Sequence, residues 1–96
     1  MNGFSPTWTG TTGYTVTGTQ PQGSGTDYVY TLTFPSAYSA RTDYIVQATF
    51  DGTNYVPENG CELAVARGTA SVVFTPRRFD GQPLNQGEIM VTITNL

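Results

Sequence analysis

The 96-residue sequence has no lysine and no histidine, one cysteine, one tryptophan, and four arginines against seven acidic residues. Each shortage excludes something. Cys61 alone cannot close an intrachain disulfide, and one thiol without histidine cannot build a Cys/His metal site. The usual general bases and Schiff-base nucleophiles are missing, and no Cys–His pair can form. A chain of net charge −3 with so few cations is poorly equipped to neutralise phosphates, so nucleic acid is not an expected partner. No run approaches the ~20 apolar residues of a membrane-spanning helix, so membrane insertion is not expected. The segment Met1–Gly10 has neither a basic n-region nor an apolar h-region. A lone thiol without a leader fits synthesis in a reducing cytoplasm.

What the chain has instead is threonine, glycine and tyrosine, organised by strand periodicity. Asp27–Phe34 alternates, with Tyr28, Tyr30, Leu32 and Phe34 on one face. Asp43–Phe50 repeats the design with Tyr44, Val46, Ala48 and Phe50. Asp51-Gly52 is a tight-turn signal, expected to reverse the chain into a short strand near Tyr55-Val56. After the turn cluster Pro57–Gly60, Cys61, Leu63 and Val65 alternate with Glu62, Ala64 and Ala66. Arg67-Gly68 is a further turn, leading into Thr69–Thr75 with Ala70, Val72 and Phe74 inward. A breaker-rich loop from Pro76 precedes the last strand, Glu88–Asn95, with Ile89, Val91 and Ile93 inward.

The expected fold class is therefore all-β: a small antiparallel β-sandwich or barrel of about six to seven strands with an extended N-terminal arm. Residues 1–26 form a Thr/Gly-rich arm holding one short strand, Tyr14–Thr19, and residues 27–96 form the sandwich domain. A domain of this size buries only about 60–65% of its unfolded surface, which favours self-association.

Candidate site residues follow from scarcity and position. Arg77-Arg78 is a cation pair in a chain short of cations, suited to an intersubunit salt bridge with a carboxylate such as Glu58 or Glu88, or to a solvated loop. Phe4, Trp8 and Tyr14 are the few apolar residues of the arm and are expected to anchor it on a partner, where it can add a strand to a neighbour's sheet edge. Tyr38 and Tyr55 lie in turns and are candidates for receptor or glycan contact. The carboxylates sit at strand ends and turns, which suits solvated residues better than a glycosidase pair. Asp51 and Asn54 match no EF-hand spacing. Neither a catalytic residue, a metal nor a cofactor is expected.

From residue 27 onward the chain resembles the small β modules of bacteriophage tail-fibre, head-fibre and capsid-decoration proteins. The resemblance is carried by Phe34-Pro-Ser-Ala-Tyr38, Asp43-Tyr-Ile-Val-Gln-Ala-Thr49, Gly68-Thr-Ala-Ser-Val-Val-Phe-Thr75 and Glu88-Ile-Met-Val-Thr-Ile93. It implies a homotrimer on a virion surface, made in the host cytoplasm and extracellular in the mature particle. Capsid or tail subunits would be its partners and a host-surface glycan a possible target. A carbohydrate-binding module or adhesin built on Trp8, Tyr38 and Tyr55 is the alternative expectation.

Overall fold

The computed structural model of the chain describes residues 6–19, 28–51, 61–78 and 88–96. They form six strands and no helix: β1 (Thr15–Thr19), β2 (Val29–Thr33), β3 (Tyr44–Asp51), β4 (Cys61–Arg67), β5 (Ser71–Arg78) and β6 (Glu88–Asn95). A four-stranded antiparallel sheet in the order β1-β2-β5-β4 faces a two-stranded antiparallel sheet, β3-β6. The fold is all-β and sandwich-like, as the alternation required. No helix among the described residues is long and apolar enough to cross a membrane. The short strand expected near Tyr55-Val56 lies outside the described residues, as do Phe4, Asn54, Tyr55 and Glu58.

The inward faces meet as the period-2 pattern dictates. Leu32, Phe34, Tyr44, Val72 and Phe74 are buried, and Val16, Tyr30, Val46, Leu63, Val91 and Ile93 pack around them. Cross-strand register makes the match specific: Leu32 opposes Val72 and Tyr30 opposes Phe74, while Val46 opposes Ile93 and Ala48 opposes Val91. Such same-face pairs are the stabilising unit of a sheet. Val65 departs from the expectation. It shares a face with its register partner Phe74, yet it is 42% exposed. β4 is an edge strand of the wide sheet, so among the described residues Val65 has a strand neighbour on one side only.

Two boundaries also differ. β5 runs on through Pro76 to Arg78, where a loop was expected. The last β5 residue paired with β2 is Phe74, so Pro76 sits beyond the central part of the sheet, where a missing N–H costs least. There it is fully buried opposite Leu63. The N-terminal segment is more than an arm. β1 pairs with β2 along its whole length, and Trp8, Tyr14 and Val16 pack on the core.

The register fixes two poles. Thr15, Thr33, Tyr44, Arg67, Ser71 and Asn95 lie at one, and Thr19, Val29, Asp51, Cys61, Arg78 and Glu88 at the other.

Candidate functional site

At the first pole the aromatic side chains form a chain of contacts. Trp8 lies 5.5 Å from Tyr14, centroid to centroid. Tyr14 meets Phe34 edge-on at 6.1 Å, and Phe34 meets Tyr44 edge-on at 5.0 Å. Tyr38 stacks on Tyr44 at 4.6 Å. Edge-to-face and offset arrangements at these distances add to area burial. Polar ends are satisfied around the rings. The Tyr44 hydroxyl donates to the Gly68 carbonyl at 2.8 Å, and Arg67 Nη1 donates to the Tyr44 carbonyl at 3.0 Å. The guanidinium also lies 5.9 Å from the centre of the Tyr44 ring. Burial pushes the Tyr44 phenol up, against the lowering effect of Arg67.

The candidate residues from the sequence fall into different places. Tyr38 is half-buried, and its hydroxyl donates to Asn95 Oδ1 at 2.5 Å, so both its ring and its polar end already have partners within the chain. Trp8 is half-buried, with its indole N–H donating to the Thr11 carbonyl at 2.9 Å. Arg77 is a strand residue, opposite Glu62 in the β4–β5 register. Arg78 ends β5 opposite Cys61. Trp8, Tyr14 and Tyr38 therefore share one aromatic layer, whereas Arg77 and Arg78 lie at the other pole.

What the sequence did not indicate is a groove between the sheets. A cavity of about 520 Å³ is lined by Trp8, Val16, Tyr30, Leu32, Phe50, Phe74 and Glu88–Val91, with Pro6–Thr9 on its far side. A second cavity of about 300 Å³ continues along Val91–Ile93, bounded by Trp8, Thr11 and Tyr14. Trp8 and Val91 border both. The first volume lies within the usual range of ligand pockets. Tyr30 lines its floor, and burial, with neighbouring Tyr28, pushes its phenol up to about 12. The ring is thus a neutral hydroxyl at physiological pH. Glu88 is the charged residue among the described lining.

The groove's walls are apolar side chains, hydroxyls and one carboxylate. Among the described residues no group of three or more His, Cys, Asp or Glu side chains comes together to hold a metal ion. The arrangement can bury an apolar body and orient it with hydroxyl and backbone groups.

A different feature concerns the outside of the sandwich. Every charged residue borne by a strand lies at or next to a strand end: Asp51, Glu62, Arg67, Arg77, Arg78 and Glu88. The outward rows between the poles carry none. On the wide sheet they read Thr15, Thr17, Thr31, Thr33, Val73 and Ala66; on the narrow sheet, Ile45, Gln47, Thr49, Met90, Thr92 and Thr94. Ile45 is 44% exposed and Met90 50%.

No family model matches the chain, and no curated protein or solved structure matches it either.

Proposed function

We propose that the chain is a non-enzymatic structural module of a bacteriophage virion, of the tail-fibre, head-fibre or capsid-decoration kind, which works as a homotrimer presenting a surface for assembly or host attachment. The observation that carries this reading is the confinement of strand-borne charge to the two poles. A surface suited to a soluble monomer carries charges of both signs interspersed over about 25–35% of its residues. Two broad faces of Thr, Ser, Ala, Val, Ile and Met suit lateral contact with copies and neighbours, where burying them strands no charge. The marginal size of the domain argues the same way. The resemblance of residues 27–96 to fibre modules supplies the virion setting, and the shortage of His and Lys fits a part that does no chemistry.

Sedimentation equilibrium on the purified chain tests the reading. The expected result is a trimer at micromolar concentration; a monomer there would remove its main support.

Glycan binding is the second reading, favoured by the groove at Trp8. It predicts saturable binding on a glycan array that disappears in Trp8→Ala while the thermal transition persists. Silence of the intact chain on the array removes it.

A further inference from the structure

The residues lining the groove describe its shape. On the wide sheet they alternate (Tyr30 and Leu32 on β2), as expected where a sheet face forms a floor. On β6 they are consecutive: Glu88, Ile89, Met90 and Val91 border the larger cavity and Val91, Thr92 and Ile93 the smaller. Both side-chain phases of a strand border a space only where the space runs along the strand's edge. The groove is therefore a trough with the wide sheet as its floor, the β6 edge as one wall and Pro6–Thr9 as the other.

That edge is open to pairing. Among the described residues β6 bonds to β3 on one side alone. Among the described residues, the backbone hydrogen bonds outside the strand ladders include none that reaches Glu88–Asn95 from the N-terminal segment. The devices that normally blunt an edge are absent, since Ile89–Asn95 holds no proline and no charge. The six residues Glu88–Ile93 along the trough span about 20 Å at ~3.3 Å per residue.

We propose that this trough receives an extended segment of a different polypeptide, which adds antiparallel to β6 as a third strand of the narrow sheet. Apolar side chains at alternate positions of the segment drop into the two cavities on either side of Trp8, and a basic residue at its C-terminal end meets Glu88. Strand addition draws affinity from main-chain hydrogen bonds and selectivity from pockets at alternate side chains. Charge decides whose segment it is. Glu88 is matched by a cation, and residues 1–26 of this chain contain no charged residue at all, so the arm of a second copy does not fit. The proposal is independent of whether the chain forms trimers.

Trp8 is the sole tryptophan and borders both cavities, so its fluorescence reads occupancy directly. The full chain is titrated with the peptide Thr-Val-Thr-Val-Thr-Val-Thr-Arg, with the same peptide ending in Glu, and with a version N-methylated at alternate amides. The Arg peptide is expected to give a saturable Trp8 shift and to slow amide exchange along Ile89–Ile93. The Glu peptide binds about two- to fivefold more weakly, the scale of one cross-strand charge pair, and the N-methylated peptide does not bind. In Glu88→Gln the two unmodified peptides bind alike. Absence of a saturable shift, equal binding of the N-methylated peptide, or a preference for Arg that survives Glu88→Gln would each overturn the proposal. So would a Met1–Ser5 peptide that binds as tightly as the Arg peptide. Sedimentation of the same samples reads oligomeric state separately.

Discussion

Tyr44 shows how much of this small core rests on single side chains. Its ring is fully buried, two aromatic neighbours contact it, its hydroxyl holds the β4–β5 turn through Gly68, and its carbonyl receives Arg67. Tyr44→Phe keeps the ring and removes only the hydroxyl, leaving the Gly68 carbonyl without its donor. The expected cost is about 1–2 kcal/mol, measured as a lowered denaturant midpoint at unchanged slope. The tyrosines also set an alkaline limit. The Tyr30 phenol is raised from 10.0 to about 12 in the folded chain, and Tyr44 is shifted in the same direction. A raised phenol keeps its proton longer in the folded state than in the unfolded one. Its stabilising contribution is complete below pH 10 and disappears as the pH climbs toward 12. Thermal melts from pH 8 to 12 are expected to fall over that window, and Tyr30→Phe is expected to make the fall shallower.

Among the elements, the N-terminal segment depends most on conformation. Gly13 has φ +96°, and a Cβ there would stand 3.0 Å from Pro35 Cγ and 3.2 Å from Pro35 Cβ. The turn that delivers Tyr14 to Phe34 and starts β1 therefore needs a residue without a side chain. Gly13→Ala is expected to destabilise by about 1–2 kcal/mol from backbone strain, with the Pro35 contact adding to it. The loss is expected in protection of Thr15–Thr19 first, seen by hydrogen exchange, because among the described residues β1 is an edge strand held only by β2. The β4–β5 hairpin is built differently. It turns through Gly68, whose N–H donates to the Ser71 carbonyl at 2.8 Å, and its strands continue in register as far as Cys61 and Arg78. Pro76 reads as a breaker from sequence but serves as a buried strand residue because, among the described residues, β4 alone pairs with it there.

For the molecule as a whole, charge at the poles and neutrality on the faces is the organising feature. If copies associate through these faces, one buried charge on the right face prevents it, while the other face tolerates the change. Thr31→Glu on the wide sheet and Thr92→Glu on the narrow one are the pair to compare by sedimentation. One of them is expected to give a folded monomer. Association through faces without charge is also expected to vary little between 50 mM and 500 mM salt, unlike contacts made by exposed ion pairs.

The alternation of apolar residues by itself determined the number of described strands, the inward set at Leu32, Phe34, Tyr44, Val72 and Phe74, and the absence of helix among the described residues. Each of these follows from the two-residue repeat of an extended chain, which is local. Pairing order is not local, and only the tertiary structure decided it. It joined residues 15–19 to the wide sheet, put β4 at that sheet's edge so that Val65 stays partly exposed on the inward face, and placed Glu62 opposite Arg77. It also brought Pro6–Thr9 beside the open edge of β6, making a groove of residues that no spacing in the sequence relates.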